Sequence, residues 1–468
     1  MKYQILSHAG LAVSAGDKTV ICDPWLIGST YWRSWFNYPP PAPELIDSLK
    51  PDCIYLTHIH WDHFAGPSLR LFDPQTPIVI PKEPAGRMAR DLRRMGLNNI
   101  IELEHGGSYN VGGGIRLTSY QFFVFTDSAV VIEADGEVLL NANDAKLMGG
   151  PLKQVLKRHP NIDVVFRSHS SANSRICYEV IDAPETVVDD RDVYIKNFAN
   201  FVQATGARYA VPFASNHCHL HRDVFDFNNY ACSPQEVADY YQQHNIGGPE
   251  LKLMISGDYW SNEDGFVIQE HDWFEKRDER LIEYRDAMSD KLEKTYEREA
   301  RAKVNIKRTT RYFEGLSKAM PFFYRYFFKN DPLLYVLNAG DKKTLVEVDL
   351  YRGKAREIES YTDTSHPMQI HTDVALFNHC MAADLFSHLA ISKRVKYRMM
   401  RDKRRLLRSL SYFFNFYEYD VVPVRNIQIG RFLRGWMLRW REIALFIRIG
   451  IDLALGRGFA YERYLKMP

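Results

Sequence analysis

Short apolar runs alternate with turn residues over the first 270 residues of the chain, and this alternation predicts a sheet-rich α/β domain. Asp135-Gly136 separates two of these runs and is a hairpin turn signal, because both residue types tolerate a positive φ. The candidate strands cover residues 19–22, 53–57, 77–80, 115–119, 129–134, 137–141, 163–166 and 209–212.

The pattern changes beyond residue 270. Residues 275–303 are dense in Glu, Lys, Arg and Asp and predict a long charged helix. Further on, the pattern predicts a strand pair over 345–359 that turns at Arg352-Gly353, a helix over 373–389 and a basic run at 393–408. We therefore predict a catalytic domain at 1–270, a charged helical linker at 271–330, and a C-terminal α+β region at 331–468 that ends in basic amphipathic helices.

Bulk composition favours a globular protein of ordinary charge. Of the 468 residues, 46% are hydrophobic and 25% are charged, and the formal net charge of +2 gives no reason to expect nucleic acid binding. The six cysteines form no CxxC pair, which is typical of reduced intracellular thiols. With no signal peptide and no apolar run of about 20 residues, we expect a cytoplasmic protein.

Four side chains that bind metals lie within six residues, directly after the apolar run 53–57: His58, His60, Asp62 and His63. In an extended segment His58 and His60 project to the same side, while Asp62 and His63 reach a second point at the following turn. Imidazole and carboxylate ligands suit zinc, iron or manganese. Because one ion needs about three protein ligands, this loop and more distant partners would hold two metal ions.

Three further residues are candidates for completing such a site. Asp144 follows a strand, as a carboxylate that bridges two metals should. His169 follows the strand at 163–166 and is a candidate ligand or acid/base, with a surface or supporting role as the alternative. His8 follows the first strand and is expected to point into the same cleft.

The loop and its preceding strand resemble the HxHxDH signature of the metallo-β-lactamase superfamily. That resemblance implies an αββα sandwich with a one- or two-metal site at one edge. Most members of the superfamily are hydrolases, and a minority are oxygen-activating iron enzymes.

A narrower resemblance, over residues 1–270, is to the metal-binding part of the CMP-N-acetylneuraminate hydroxylase family. It rests on Asp23-Pro24-Trp25-Leu26, the flanks of the HxHxDH loop, Asn141-Ala142-Asn143-Asp144, and Pro212-Phe213-Ala214 followed by a histidine at position 221. His217, His219 and His221 alternate after that segment, and the resemblance implies that His221 is a metal ligand, with His217 next. The other histidines would orient ligands or contact substrate.

Two departures from that family affect the chemistry. Its Rieske domain, with a CxH…CxxH ligand pattern, has no counterpart in this sequence, so oxygenation would require a separate Rieske or ferredoxin reductase. Residues 120–125 lack the histidine that the superfamily usually carries before the later aspartate. His169 or the histidines at 217–221 would then replace the missing imidazole.

Residues 431–455 interleave arginines with aromatic and aliphatic residues in an amphipathic pattern. Such a helix would either dock on the main domain or lie on an anionic membrane surface, and docking is favoured.

Three functions follow from these patterns. The favoured one is an iron-dependent hydroxylase acting on a polar, anionic small molecule, with Asp62, His169 and His8 as its acid/base or orienting groups. The second is a zinc or manganese hydrolase of a phosphodiester or lactone. The third is a metal-bound scaffold without catalytic activity.

Overall fold

The computed structural model describes residues 1–123, 127–170, 174–184, 191–457 and 459–465. The strands of the first 270 residues are β1 (Lys2–Ile5), β2 (Leu11–Ala15), β3 (Lys18–Cys22), β4 (Ser29–Thr30), β5 (Trp35–Asn37), β6 (Cys53–Tyr55), β7 (Ile78–Pro81), β8 (Ile100–Leu103), β9 (Ser108–Gly112), β10 (Ile115–Phe122), β11 (Asp127–Ala134), β12 (Glu137–Asn143), β13 (Val164–Ser168), β14 (Tyr178–Val180), β15 (Tyr209–Phe213), β16 (His217–His219), β17 (Glu250–Leu251), β18 (Tyr259–Ser261) and β19 (Gly265–Val267). The α-helices of this part are α1 (Pro43–Ser48), α2 (Gly66–Leu69), α3 (Arg87–Arg94), α4 (Gly149–Arg158), α5 (Arg191–Thr205) and α6 (Pro234–Gln243).

Two sheets lie face to face. The first has the strand order β19-β18-β1-β2-β3-β6-β7-β8, and the second has the order β17-β15-β13-β12-β11-β10-β9. Alternate apolar residues of both sheets, such as Val20, Tyr55, Ile132 and Phe166, form one buried core between them. Helices α2 and α3 pack on the outer side of the first sheet, and α4, α5 and α6 pack on the outer side of the second. The predicted αββα sandwich is confirmed.

The strand predictions hold with shifts of a few residues at their ends. The hairpin at Asp135-Gly136 is present: Ala134 pairs with Glu137, and φ is 49° at Asp135 and 85° at Gly136. The predicted strand at 77–80 is observed as β7, and the one at 163–166 is observed as β13.

The rest of the chain adds a second α+β unit. Its strands are β20 (Leu333–Ala339), β21 (Lys342–Asp349), β22 (Lys354–Ile358), β23 (Met368–Asp373) and β24 (Val395–Met399). Its helices are α7 (Arg277–Ala287), α8 (Ser289–Ala300), α9 (Ile306–Ala319), α10 (Phe322–Tyr326), α11 (Val374–Ala383), α12 (Phe386–Ile391), α13 (Arg404–Glu418), α14 (Ile429–Leu438), α15 (Trp440–Ala454) and α16 (Tyr461–Leu465). Short 3₁₀ helices cover Ser174–Cys177, Phe225–Tyr230, Arg401–Lys403 and Val424–Asn426.

Two long predicted helices are interrupted. The charged segment forms α7 and α8, which meet at Met288, instead of one helix. The segment 373–389 forms α11 and α12, which are separated where Asp384 takes a left-handed conformation with φ of 52°. The predicted strand pair turning at Arg352-Gly353 is observed as β21 and β22.

The C-terminal unit interlocks with the sandwich. Strand β14 lies in the sheet β14-β24-β23-β20-β21-β22, where it pairs in parallel with β24. Helix α9 buries Phe313 and Leu316 in the C-terminal core, so its apolar face makes it part of that unit and not of a linker. Leu445 of α15 and Tyr464 of α16 pack back on the outer core of the second sheet. A cut at residue 270 therefore does not separate two independent cores.

Candidate metal centre

Several strands of the sandwich end at the same edge, and the predicted ligands follow them. The loop His58–His63 comes after β6, Asp23 comes after β3, and His8 comes after β1. Asp144 follows β12 of the opposite sheet. Strands β3 and β6 run parallel, so their carboxyl ends meet at this edge, which is where α/β folds place their chemistry.

The ligand atoms form two sets, and each set lies within 4.8 Å. Set A consists of His58, His60 and Asp144, and set B consists of His8, Asp62 and His63. In set A, His58 Nε2 lies 2.8 Å from His60 Nδ1 and 3.6 Å from an Asp144 oxygen. In set B, Asp62 Oδ2 lies 3.1 Å from His8 Nε2 and 3.3 Å from His63 Nε2. Each set offers the three protein ligands that one catalytic ion requires.

Asp144 lies between the two sets. The same Oδ2 atom that faces His58 in set A is 3.9 Å from His63 Nε2 in set B. Burial alone would raise the pKa of Asp144, but the imidazoles of His58 and His63 lower it to about 2. Asp144 is therefore a charged carboxylate within 4 Å of a histidine of each set.

A buried hydrogen-bond network behind the loop orients one histidine of each set. Asp23 accepts a hydrogen bond from His63 Nδ1 at 2.8 Å and another from the Thr57 hydroxyl at 2.7 Å. Because the Thr57 hydroxyl donates to Asp23, its oxygen is free to accept from His58 Nδ1 at 3.0 Å. Both histidines are thereby held with Nε2 directed at the site, which is the usual arrangement around metal ligands.

Tyr31 supports set B from the other side. Its hydroxyl donates to Asp62 Oδ1, and it also accepts from the backbone N–H of Trp61 at 3.1 Å. Next to it, the C-terminal unit contributes the buried His388, whose ring centroid lies 5.6 Å from Tyr31 and 5.5 Å from His60. The second unit of the chain therefore helps to enclose the site.

The ionisation of the site suits ligand binding. Burial, followed by the charge of His58, lowers the pKa of His60 to about 4, so this imidazole is neutral at neutral pH. Burial opposes the charge of Asp62, but the charge of His63 holds the Asp62 pKa well below its ordinary value. Burial also opposes a charge on His63, yet Asp62 and Asp144 raise its pKa well above the ordinary value. A metal ion would displace that proton from His63, as metal binding does elsewhere.

These residues fit a pair of metal ions. All six donors of the two sets are imidazole nitrogens or carboxylate oxygens, which suit iron, zinc and manganese. Within the described part of the chain, buried His63 Nε2 and Asp144 Oδ1 have no hydrogen-bond partner. Buried polar atoms are normally satisfied, so two orphaned atoms at the meeting point of both sets indicate where a ligand belongs.

His217 lies beside set B without joining it. Its ring stacks on Trp35 with a centroid distance of 3.5 Å and lies 5.4 Å from the ring of His8. Its neighbour His219 is turned away, with Nδ1 3.2 Å from the Ser34 hydroxyl. Set B contains His8 and not His217, so the role of His217 as a ligand stays a prediction.

His221 faces a different buried cluster. Its Nε2 lies 3.4 Å from Glu299, and its Nδ1 lies 3.3 Å from Asp223. Glu299 is itself held by both terminal nitrogens of Arg394, at 2.9 and 2.8 Å. His221 therefore lies in an ion cluster between the two units and outside sets A and B, and its role as a ligand stays a prediction.

His169 is fully buried and faces the backbone. Its Nε2 lies 3.2 Å from the Cys232 carbonyl, and burial lowers its pKa to about 3. Sets A and B do not include it. Its acid/base role stays a prediction.

A cavity of about 470 Å³ opens onto the two sets and lies between the two units. The sandwich contributes Lys146 to its wall, and the C-terminal unit contributes Ser387, Arg408 and Asn415. Charge interaction with Tyr194 raises the pKa of Lys146 above its ordinary value, so the ammonium is charged at neutral pH. Aromatic side chains line the remaining wall: Trp35, Tyr178, Tyr335, Tyr412 and Phe414.

Three residues around the site, Asp23, Asp127 and Lys146, have no role predicted from the sequence. Asp23 carried a signal, since it opens the Asp-Pro-Trp-Leu segment that distinguishes the narrower resemblance. Asp127, whose pKa is raised to about 6 by burial and by Asp144, and Lys146 had no local signal. Of the stretch 120–125 that lacks the expected histidine, residues 124 and 125 lie outside the described residues.

No protein-family model matches the chain. It is similar to a Mycolicibacterium smegmatis protein named as a Rieske 2Fe-2S iron–sulfur protein, with 25% identity over 275 residues that cover 54% of this chain and 52% of the relative. It is also similar to the cytidine monophosphate-N-acetylneuraminic acid hydroxylase of Mus musculus, with 30% identity over 152 residues that cover 31% of this chain and 26% of the hydroxylase. The chain thus spans about half of the first relative and about a quarter of the second.

The solved structures that the chain matches cover about half of it. The isothiocyanate hydrolase from Delia radicum gut bacteria matches 56% of this chain and 99% of its own, with 15% identity and a TM-score of 0.42. The diiron β-hydroxylase CmlA from Streptomyces venezuelae matches 55% and 53%, with 15% identity and a TM-score of 0.36. The metallo-β-lactamase fold protein YhfI from Bacillus subtilis matches 56% and 99%, with 14% identity and a TM-score of 0.38.

With two packed sheets, outer helices and an HxHxDH loop at the sheet edge, the chain has the metallo-β-lactamase fold, and two groups of residues at that edge are placed so that they could hold metal ions.

Proposed function

We propose that this enzyme is an iron-dependent hydroxylase that acts on an anionic small molecule. The observation that carries the proposal is the joining of sets A and B through Asp144, with Asp23 of the Asp-Pro-Trp-Leu segment hydrogen-bonded to His63. The 30% identity with CMP-N-acetylneuraminic acid hydroxylases supports it, because that identity is to proteins named as hydroxylases.

The overall reaction consumes O2, two electrons and two protons, converts a C–H bond of the substrate to C–OH, and releases one water. Two iron ions bound by sets A and B would supply the activation of O2. The electrons come from outside these 468 residues, whose sequence contains no CxH…CxxH pair. Since the mycobacterial relative is named as a Rieske protein, a Rieske protein or a ferredoxin is the donor that we propose.

Other residues of the chain orient the metal ligands and bind the substrate. Asp23 and Thr57 fix the rings of His58 and His63, and Tyr31 fixes the carboxylate of Asp62. In the cavity wall, the cations of Lys146 and Arg408 would bind the charged group of the substrate, while the aromatic side chains would pack against its apolar part. His8, which sequence reasoning treated as an orienting group, is proposed as a ligand of set B.

A second candidate is a zinc or manganese hydrolase of a phosphodiester or lactone. It is favoured by the donor set, because six imidazole and carboxylate donors without a thiolate suit zinc and manganese as well as iron. In that case the metals would activate a water molecule, and Lys146 and Arg408 would bind the phosphate or carboxylate of the substrate.

The test is metal analysis of protein purified anaerobically without added metal. The doubly substituted His58→Ala/His60→Ala variant is the negative control, and His244→Ala, which alters an exposed histidine, is the matched control. About two irons per chain, lost only in the double variant, supports the hydroxylase. Zinc or manganese in the same amount supports the hydrolase.

Activity then separates the two functions. A hydroxylase consumes O2 when an anionic substrate and a reduced ferredoxin or Rieske protein are both supplied, and forms one hydroxylated product per O2. A lack of any substrate-dependent O2 consumption by the iron-loaded protein, together with turnover of phosphodiesters or lactones by the zinc or manganese form, would overturn the proposal.

A further inference from the structure

Helices α14 and α15 dock on the sandwich through charged residues. Arg431 makes two hydrogen bonds to Glu102 at 2.9 and 2.7 Å, and Arg434 binds Glu104 at 2.8 Å. At the junction of the two helices, the buried Arg439 binds Glu442 at 2.8 Å. Docking was the favoured expectation for this segment, and the ion pairs of Arg431 and Arg434 with the sandwich confirm it.

One apolar face of each helix points to solvent, while Leu445 on another face of α15 packs on the sandwich. On α14, Ile429, Leu433 and Met437 recur every fourth residue and are 65%, 57% and 73% exposed. On α15, Trp440 and Ile447 are seven residues apart and are 56% and 59% exposed. Residues at spacings of three, four and seven share one helix face, so each helix presents a row of exposed apolar side chains, and we call the two rows together the α14–α15 stripe.

The segment that carries the stripe has an excess of positive charge. Residues 429–457 contain six arginines and two acidic residues. The two acids, Glu442 and Asp452, are buried at 1% exposure. Asp452 lies 3.5 Å from Arg448 and 3.1 Å from Arg457, whose side chains are half-exposed. The outward surface of this segment therefore combines apolar side chains with arginines, and neither acid of the segment is exposed. Five of the six arginines also pair with a carboxylate of the sandwich or of the segment itself, and Arg434, Arg448 and Arg457 remain half-exposed or more.

We propose that the α14–α15 stripe binds the surface of an anionic lipid bilayer. A helix with one apolar face, interfacial tryptophan and flanking arginines is suited to the plane of a membrane, where the apolar side chains enter the acyl region and the arginines pair with anionic headgroups. A second copy of the chain is the weaker partner, because its own stripe would bring arginines against arginines with no acid to pair them. Within the described residues no helix has both the length and the apolar character needed to cross a bilayer, so the contact is peripheral.

The experiment is cosedimentation of the full chain with vesicles of phosphatidylcholine alone and of phosphatidylcholine with about one third phosphatidylglycerol. The test variant is Trp440→Ser/Ile447→Ser/Ile451→Ser, which changes exposed residues of α15. The matched control is Leu71→Ser/Val193→Ser/Ile282→Ser, which changes three exposed apolar residues elsewhere. Circular dichroism and metal content establish that each variant is folded.

We expect binding to the anionic vesicles, weaker binding at high salt, and a loss of at least about tenfold in the partition coefficient of the test variant but not of the control. If the test variant does not fold, Arg441→Gln/Arg457→Gln replaces it, with reduced selectivity for the anionic vesicles as the expected result. Absence of binding to both vesicles would overturn the proposal. So would a lipid-free dimer, seen by sedimentation velocity, that the test variant abolishes, because the stripe would then be an interface between copies.

Discussion

Asp23 accepts a hydrogen bond from Nδ1 of His63 at 2.8 Å, although 40 residues separate them along the chain. Both side chains are fully buried. Through the Thr57 hydroxyl the same carboxylate also supports His58. One residue of the Asp-Pro-Trp-Leu segment thus orients a ligand in each of the two sets, which gives that segment a physical reason for accompanying the HxHxDH loop.

Asp23→Asn is expected to weaken metal binding at both positions by about 10- to 100-fold, which is the usual effect of losing such a support. Asn tolerates the positive φ of 43° at this position, so the backbone is preserved while the charge is lost. Metal affinity is measured by competition with a chelator. Asp17→Asn, at an exposed aspartate, is the control, and equal affinity in both variants would show that Asp23 does not act on the metals.

His8 and His221 are expected to differ in a direct comparison. His8→Ala removes one donor of set B, so we expect the protein to retain about one metal per chain instead of two. His221→Ala disturbs the Glu299–Arg394 cluster and is expected to retain both metals while losing about 1–3 kcal/mol of unfolding free energy. Elemental analysis measures the metal content, and urea denaturation measures the unfolding free energy. Loss of metal in His221→Ala would show that His221 is a metal ligand.

The part of the site that the sequence predicted is the part encoded by local spacing. His58, His60, Asp62 and His63 follow one strand within six residues, and Asp144 directly follows another. Because both strands end at the same edge of the sandwich, their following residues converge, and this can be foreseen without knowing the rest of the fold.

The part that was missed depends on contacts between distant segments. The place of His221 is decided by Glu299 and Arg394, which belong to α8 and to the loop before β24. No sequence pattern near position 221 indicates that Glu299 and Arg394 are its partners. The same reason explains why the basic run at 393–408 gave no indication of the cavity, although the packing of α13 places Arg408 in the cavity wall.

Two of the predicted element assignments differ from the structure. The charge pattern of 275–303 is continuous across Met288, yet the chain ends one helix there and begins another. Helix α9 was assigned to a linker on its charge, but buried Tyr312, Phe313 and Leu316 on one face join it to the C-terminal core.

The buried His169 is expected to make the unfolding free energy of the metal-free protein depend on pH. Its pKa is lowered to about 3 in the folded chain, against an ordinary value near 6.5. Below pH 6.5 the unfolded chain therefore binds a proton that the folded chain does not, and stability falls as the pH drops from about 6.5 towards 3 by about 1.4 kcal/mol per pH unit from this residue. Urea denaturation of the chelator-treated protein between these pH values measures the slope. His169→Gln should flatten it, and an unchanged slope would show that His169 titrates normally.

Lys146 and Arg408 are expected to set the affinity for anionic substrates. They lie in the wall of the cavity that opens onto sets A and B, and they come from different units of the chain. Lys146→Met and Arg408→Met each remove one cation, so we expect the KM for an anionic substrate to rise about tenfold, which corresponds to a charge-assisted hydrogen bond of about 1.4 kcal/mol, with a smaller change in kcat. Arg405→Met, which alters an exposed arginine on the same helix, is the matched control. Metal content distinguishes loss of substrate contact from damage to the centre. Equal KM values in all three variants would mean that the charged group of the substrate binds elsewhere in the cavity.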